Sequence, residues 1–394
     1  MIEVTERTRI RPASGRTEPA VLSFLRSLDW ILVAAAAGLV GYGLWVVSGI
    51  TRFDVPGDQH YYVVRQGFAA AIGAVGLVVA AVIPVDVWRR SWKLVYGATL
   101  ALMVIVFGAA ETVRGSKRWL DLGVIQFQPS ELGKVLFVLA IGGFVVGRVG
   151  PTTRWKTIFT VIGLGAVPIL LVFLQPDLGT ALVYASALFA VLFFVGVRWR
   201  QLLVLLCAGV IGIAAILWLL PAAGVQVLKP YQAARLTLDP DADPSGITYN
   251  LSQSITAVGS GGLTGRGVVE ASQTRLDYLP EHATDFAFAS LAEQRGFVGC
   301  AILLLLYLLV VWRGLRVITG ASDLYSVVVA GGLVVAFLFQ VFVNVGMTMG
   351  VAPVTGIPLP FVTVGGSSMV ANLVLIGILQ SIHARGELGR GGSV

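Results

Sequence analysis

The amino-acid sequence predicts an all-α polytopic membrane protein that crosses the bilayer about ten times and has both termini in the cytoplasm. Three observations support this class. Hydrophobic residues make up 56% of the 394 residues and charged residues only 12%, whereas a soluble domain has about 25% charged residues. The apolar residues form runs of about 20, long enough to span the hydrocarbon core. Basic residues are concentrated in alternate connecting segments.

Each apolar run is expected to be a helix, because a segment surrounded by lipid must satisfy its own backbone hydrogen bonds. The candidate spans cover residues 29–50, 62–84, 94–110, 130–148, 156–174, 178–197, 201–220, 285–312, 324–347 and 365–384. The first span is longer than the apolar core of a signal peptide, so we expect it to be retained. The expected organisation is a cytoplasmic tail (1–27), a transmembrane domain (28–384) and a second cytoplasmic tail (385–394).

Lysine and arginine residues indicate which loops face the cytoplasm. Seventeen of the 28 basic residues lie in the two tails and in alternate interhelical segments. The short loops on the other side hold only Arg52, Arg114, Lys117 and Arg118. By the positive-inside rule, the first set is cytoplasmic, and the long loop 221–284 between spans seven and eight faces outward. The net charge of +7 is thus explained by membrane orientation, and no nucleic-acid partner is expected.

Cysteine and histidine residues do not point to a redox or metal site. Cys207 and Cys300 each lie inside an apolar span, and the sequence has no C-x-x-C pattern. The three histidines, His60, His282 and His383, are too scattered to predict a zinc site.

The segment 115–134 places charged residues around the start of the fourth span. Pro129 suits the first turn of that helix. Glu131 and Lys134 are three residues apart, so they lie on one helix face and can pair. Two interpretations are open: a salt bridge that orients the helix at the membrane interface, or a charged wall of a cavity that opens outward.

Two aspartates lie at the outer ends of spans. Asp177 follows a Gln-Pro pair, and it either caps the sixth span or belongs to a functional site. Asp285 enters the eighth span just below the outer surface. A low dielectric there would raise the pKa of its carboxyl toward that of a general base. The alternative is an N-cap carboxylate stabilised by the helix dipole.

The outer loop 221–284 carries aromatic residues, paired glycines and spaced carboxylates, which favour an ordered functional loop. Its acidic cluster at 239–243 lacks the spacing of a calcium loop. The glycine-rich segment 259–267 matches neither nucleotide-binding pattern, although its amides, with Arg266, are candidates for holding a diphosphate. Three prolines within 353–360 exclude helix and predict a rigid re-entrant turn.

Five motifs, in order along the chain, resemble those of the SEDS family (shape, elongation, division, sporulation). The resemblance covers about residues 28–384 and is stronger to its RodA branch than to its FtsW branch. The motifs are K-R-W-L-D-L-G and F-Q-P-S-E-L-G-K within 117–134, Q-P-D-L-G-T-A at 175–181, G-I-T-Y-N-L-S-Q-S at 246–254, L-P-E-x-x-T-D-F at 279–286 and N-V-G-M-T-M-G-V-A-P-V-T-G-I-P-L-P-F at 344–361. One departure is Ala283, at a position where the family commonly has histidine.

The resemblance implies a peptidoglycan glycosyltransferase of the bacterial plasma membrane, which polymerises lipid II into glycan strands at the outer face during cell elongation. It assigns the essential acid to Asp285 and the charged pair of the cavity to Glu131 and Lys134. It also implies partners: a class B penicillin-binding protein with transpeptidase activity, lipid II, the growing lipid-linked glycan and membrane lipids.

The leading hypothesis is an inverting glycosyl transfer in which Asp285 acts as the general base. The candidate substrate-binding residues, polar side chains of the motifs and the outer loop, are Glu131, Lys134, Arg118, Lys117, Arg235, Arg266, Gln253 and Ser367. The cations among them are candidates for stabilising the departing diphosphate. Because the donor is already activated, no organic cofactor is required, and a divalent cation on the diphosphate is compatible with the scheme.

Two rival functions use the same features. A transporter that flips the lipid-linked precursor predicts charges near the membrane midplane and access from both sides. Here the ionisable groups lie mostly at the outer ends of spans, with Arg65 as an exception. A non-catalytic scaffold for a penicillin-binding protein would not require a cavity lined by Glu131, Lys134 and Asp285.

Overall fold

The structure is a computed structural model that describes residues 20–109, 111–113, 116–121, 126–148, 154–224 and 246–391. Its helices are α1 (Ala20–Arg26), α2 (Trp30–Ile50), α3 (Tyr61–Val82), α4 (Val85–Arg90), α5 (Trp92–Ala109), α6 (Pro129–Val146), α7 (Trp155–Leu174), α8 (Leu178–Phe194), α9 (Trp199–Ala214), α10 (Leu220–Ala222), α11 (Ile247–Ser260), α12 (Gly267–Glu270), α13 (Ser272–Arg275), α14 (Ala287–Gly320), α15 (Leu324–Thr348) and α16 (Gly366–Gly391). A π-helical stretch, Ala215–Leu219, joins α9 to α10.

The predicted class, a helical membrane protein, is confirmed. Within the described ranges, eight helical segments are long and apolar enough to cross a membrane: α2, α3, α6, α7, the continuous α9–α10 segment, α14, α15 and α16. The shorter apolar helices α5 and α8 lie at the predicted third and sixth spans. Every predicted span therefore contains an apolar helix, whereas the side of the membrane that each loop faces stays a prediction.

The helices differ in how much protein surrounds them. The most apolar windows of α6, α15 and α16 are 83%, 72% and 83% buried, whereas that of the α9–α10 segment is 6% buried. Helices α6, α15 and α16 therefore form the centre of the protein. The exposed apolar side chains of α9 are those that lipid would cover, since lipid tails are as apolar as the side chains themselves.

A small antiparallel sheet between α5 and α6 was not predicted. Strand β1 (Glu111–Val113) pairs with β2 (Ser116–Asp121), and β2 pairs with β3 (Gln126–Phe127). In the second pairing, Leu120 is opposite Phe127. The sheet brings the K-R-W-L-D motif next to the N-terminus of α6.

Helix α14 is interrupted at Gly296, which has φ +64° and ψ −162°. The outer loop fills this break with its own backbone. The amide of Arg266 donates to the carbonyl of Glu293 at 2.9 Å, and the amide of Phe297 donates to the carbonyl of Gly262 at 2.9 Å. The carbonyl of Glu293 and the amide of Phe297, which lie on either side of the break, are therefore paired with the outer loop. An interrupted membrane helix requires such partners for its backbone.

The glycines of segment 259–267 permit this docking. A Cβ on Gly265 would lie 2.3 Å from the carbonyl oxygen of Gln294. The amide of Gly265 donates to the carbonyl of Gly261 at 2.8 Å, and the amide of Arg266 is bound to α14. These two amides are therefore occupied by protein carbonyls, and the diphosphate cradle suggested by the sequence does not include them.

A buried carboxylate fastens the next part of the loop. Glu293 is fully buried in α14, and it accepts hydrogen bonds from the amides of Gln273 and Thr274 at 2.8 and 2.9 Å. The hydroxyl of Thr274 adds a third hydrogen bond at 2.7 Å. Because the first amides of a helix lack partners within it, this carboxylate caps α13. The outer loop is thus ordered over residues 246–284, as its composition predicted.

We expect Gly265→Ala to destabilise the protein more than Gly57→Ala. Both residues have positive φ, +82° and +86°, but nothing lies within 4 Å of a Cβ at Gly57. Gly57→Ala should cost about 1–2 kcal/mol for the left-handed backbone. Gly265→Ala should cost this and a further 1–3 kcal/mol, roughly, for the clash with α14. Thermal unfolding in detergent measures both, and equal midpoints would contradict the docking of the loop into α14.

Candidate active site

A buried ion pair lies in the first turns of α6. The Nζ of Lys134 lies 2.7 Å from Oε2 of Glu131, and it donates to Oε1 of Gln340 at 3.1 Å. The pairing expected from the spacing is confirmed. Each charged side chain is only 2% exposed, so the pair is enclosed by protein. A third partner is needed because burying two charges costs several kcal/mol before their attraction offsets it.

Asp177 joins three elements near the same end of α6. The amide of Thr180 donates to its Oδ1 at 3.0 Å, so the predicted cap of α8 is confirmed. The side chain of Gln128, the N-cap residue of α6, donates to Oδ2 at 2.7 Å. A guanidinium nitrogen of Arg118, on β2, lies 3.6 Å from the same oxygen. Arg118 stays 24% exposed, so it is the predicted cation of this cluster that a substrate can reach.

Ser367, in the first turn of α16, contacts the backbone at the start of α6. Its hydroxyl accepts a hydrogen bond from the amide of Gln128 at 2.7 Å and donates to the carbonyl of Gln126 at 2.9 Å. Ser367 is 2% exposed. In this structure it therefore joins β3 and α6 to α16, and it offers no exposed face to a substrate.

Asp285 lies in the tight turn 281–286 that precedes α14, and it is partly exposed. The N-cap of α14 is Phe286, so the alternative in which Asp285 caps this helix is wrong. Glu281 has a φ of +58°, and its carbonyl accepts the amides of Thr284 and Phe286 at 3.1 and 3.2 Å. The hydroxyl of Thr284 also donates to the carboxylate of Glu281 at 2.7 Å. The turn is thus closed by its own hydrogen bonds.

One face of α15 connects this turn to the buried ion pair. The side-chain amide of Asn344 donates to the carbonyl of Asp285 at 3.1 Å and to the carbonyl of Ile357 at 2.8 Å. Gln340, which accepts from Lys134, lies one helical turn earlier on the same face. Asn344 and Gln340 are at most 1% exposed. Helix α15 therefore fixes the backbone of Asp285 relative to the ion pair.

The proline-rich segment 351–365 supports the turn from another side. It contains no helix, as its prolines predicted, and Ile357 and Leu359 are fully buried. The hydroxyl of Thr363 accepts the amide of Leu359 at 2.8 Å and donates to the carbonyl of Thr284 at 3.0 Å. Thr363 therefore holds the carbonyl of Thr284, the residue directly before Asp285, against the proline-rich segment.

His282 fastens the turn to the loop between α2 and α3. Its Nε2 lies 3.0 and 3.2 Å from the two carboxylate oxygens of Asp54, and its Nδ1 lies 3.7 Å from the carboxylate of Asp277. Burial alone lowers the pKa of His282. The hydrogen bond and charge of Asp54, with the charge of Asp277 and the backbone of Leu279, outweigh burial and raise this pKa above its usual value. Sequence reasoning missed this contact, because His282 and Asp54 are 228 residues apart.

The remaining predicted residues belong to the outer loop or to β2. Arg266 is exposed, and its Nε donates to the carbonyl of Ser260 at 3.1 Å. Gln253 is half-buried on α11. Arg235 and the side chain of Lys117 lie outside the part of the chain that the structure describes. Within the described part, no group of three or more His, Cys, Asp or Glu side chains is arranged to hold a metal ion.

Comparison with known proteins identifies relatives over nearly the whole chain. Residues 26–387 match the model of the FtsW/RodA/SpoVE family, described as cell cycle protein. The chain is 38% identical over 354 residues to peptidoglycan glycosyltransferase MrdB of Escherichia coli K12, which covers 89% of this chain and 93% of that protein. It is 34% identical over 369 residues to stage V sporulation protein E of Bacillus subtilis, covering 90% and 97%.

Solved structures share the fold. A chain of a peptidoglycan synthase complex, in which polymerization and crosslinking are coordinated, is 32% identical and superimposes with a TM-score of 0.75, covering 90% of this chain and 97% of that chain. The rod shape determining protein RodA of Thermus thermophilus is 27% identical, with a TM-score of 0.66 and coverages of 90% and 96%.

We expect Asn344→Ala to loosen the turn 281–286 more than Asn372→Ala does. Both asparagines are fully buried in apolar helices, but Asn372 donates to the carbonyl of Ser368 within its own helix. Loss of the two hydrogen bonds from Asn344 should cost about 1–3 kcal/mol, which corresponds to roughly 5- to 150-fold acceleration of local amide exchange. Hydrogen exchange of peptides that cover 281–288 tests this. Equal exchange in the two variants would contradict a positioning role for Asn344.

Proposed function

The chain belongs to the FtsW/RodA/SpoVE family of cell cycle proteins, and we propose that it polymerises lipid II into glycan strands at the outer face of the plasma membrane. The family resemblance predicted from the motifs is confirmed. Relatives that are 38% and 36% identical over most of the chain carry the name peptidoglycan glycosyltransferase, and the chain is a multi-pass membrane enzyme of that class. The proposed role in cell elongation rests on two segments, Pro-Val-Thr-Gly at 353–356 and Ser381-Ile382-His383, that resemble the RodA branch more than the FtsW branch.

The observation that carries the proposal is the setting of Asp285. Its side chain is partly exposed, whereas its backbone is fixed by the buried Asn344 and its neighbour Thr284 is held by Thr363. A general base needs this combination, because it must reach the substrate and still keep one orientation. The location at the start of α14, next to the outer loop, suits a substrate that arrives from the outer leaflet.

In the proposed reaction, a sugar hydroxyl of the acceptor attacks the anomeric carbon of the lipid-diphosphate donor. Asp285 takes the hydroxyl proton while the new C–O bond forms. The bond between the anomeric carbon and the diphosphate breaks, and the diphosphate leaves with the electron pair. Attack opposite to the leaving group inverts the anomeric centre.

Two cations differ in their suitability for the leaving diphosphate. Arg118 is 24% exposed and lies on β2, 3.6 Å from Asp177 at the start of α8, so it can meet a phosphate in the conformation described. Lys134 is 2% exposed and bound to Glu131 and Gln340, so it can do so only if α6 and α15 move apart. We therefore assign the stabilisation of the departing charge to Arg118 and a structural role to Lys134 in this conformation.

The proposed partner is a class B penicillin-binding protein, the transpeptidase that cross-links the strands. The support is the peptidoglycan synthase complex that contains a chain of this fold and coordinates polymerization with crosslinking. The other proposed partners are lipid II, the growing lipid-linked glycan and the surrounding lipids.

We expect Asp285→Asn to abolish strand formation from labelled lipid II by the purified protein with its cognate transpeptidase. The asparagine is nearly isosteric but cannot take the proton, so the rate should fall by at least about 100-fold while lipid II binding is retained. The matched control is Asp58→Asn, the same change at an exposed aspartate of the α2–α3 loop, which should leave the rate unchanged. Unimpaired polymerisation by Asp285→Asn would contradict the assignment. Lipid II translocation without strands in the unsubstituted protein would instead support the flippase.

A further inference from the structure

His282 and Asp54 form a side-chain contact between the α2–α3 loop and the turn that carries Asp285. The two side chains are 12% and 20% exposed, so the contact is partly shielded, although Asp54 as a whole residue is exposed. The turn residue His282 is also fixed through its backbone, because the hydroxyl of Ser290 on α14 donates to its carbonyl at 3.2 Å. The backbone of His282 is therefore held against α14 while its ring contacts the α2–α3 loop.

The surroundings of the imidazole favour its charged form. Nε2 faces the Asp54 carboxylate, while Nδ1 faces the Asp277 carboxylate at 3.7 Å. A protonated ring carries N–H donors on both nitrogens and so suits a carboxylate on either side. A neutral ring keeps the hydrogen bond to Asp54 but loses its attraction to both carboxylates.

The titratable groups around His282 come from three parts of the chain. Asp54 belongs to the α2–α3 loop, Asp277 follows α13, and Glu281 precedes His282 in the turn. The Glu281 carboxylate already accepts the hydroxyl of Thr284. Helix α14 contributes the hydroxyl of Ser290, which does not titrate near neutral pH. The charge on the facing groups is therefore negative.

We propose that His282 and Asp54 form a pH-dependent latch that holds the Asp285 turn in its reactive position. The latch is closed when His282 is protonated and is weakened when His282 is neutral. Both are positioning residues, since neither is placed on the reacting atoms. The inference rests on the proposed function, because it concerns the geometry of the proposed base.

The direction of the pH dependence follows from linkage. A histidine whose pKa is raised by the folded state contributes its stabilisation fully below its ordinary pKa, about 6.5, and loses it as the pH rises through the raised value. The polymerisation rate should therefore fall on the alkaline side of this range. This limb is opposite to the acidic limb expected from protonation of Asp285, so the two can be separated in one profile.

A titration of the histidines tests the latch without any assay of activity. The chain has three histidines, His60, His282 and His383, so ring signals of histidine-labelled protein in detergent can be assigned by single substitutions. In the unsubstituted protein the His282 signal should titrate above the ordinary range, and in Asp54→Asn it should move to lower pH. An unchanged His282 titration in Asp54→Asn would overturn the proposal, even if His282→Gln did not fold.

The kinetic test compares His282→Gln, Asp54→Asn and the double variant with His60→Gln. His60 is the matched control, because it is an exposed histidine in the same loop as Asp54. At pH 6 the two single variants should lose about three- to tenfold in kcat, with little change in KM for lipid II, and should lack the alkaline limb. The double variant should lose no more than either single variant, because both remove the same interaction.

Two outcomes separate the latch from the proposed function. If the unsubstituted protein and His60→Gln polymerise lipid II and His282→Gln keeps their alkaline limb, the latch is overturned and the function stands. If the unsubstituted protein makes no strands at any pH, the proposed function fails, and the histidine titration still decides whether the Asp54 contact controls His282.

Discussion

The ion pair between Glu131 and Lys134 is the interaction on which the arrangement of α6, α15 and the turn 281–286 depends. Buried in the central helices, neither charge has water available, so each must be satisfied by protein. The third partner is Gln340, which fixes the rotation of α15. That rotation places Asn344, one turn further, beneath the backbone of Asp285. The contacts that satisfy the buried charges of α6 therefore also fix the position of the proposed base.

The need to pair buried polar groups also governs the irregular backbone near the turn 281–286. Helix α14 is broken at Gly296, and the 353–360 prolines prevent helix between α15 and α16. In both places a neighbouring segment supplies the missing hydrogen bonds: residues 262–266 for the break, and the hydroxyl of Thr363 for the proline-rich segment. Irregular backbone at the edge of a membrane domain is stable only when it is paired in this way.

Local rules predicted much of this structure, and long-range contacts account for what they missed. Apolar runs gave the helices, and short-range spacing gave the Glu131–Lys134 pair and the Asp177 cap, because each depends on residues within one or two turns. The three strands of 111–127 are too short to show a periodic pattern. The pairing of His282 with Asp54 and the docking of the glycine-rich segment into α14 depend on residues far apart in sequence.

The docking of the outer loop into α14 has a mechanical consequence. The break at Gly296 leaves a rigid segment of about two and a half helical turns, Ala287 to Arg295, directly after Asp285. Glu293 and the backbone of 262–266 attach this segment to the outer loop. A force that acts on α11–α13 is therefore passed to the segment that starts next to Asp285.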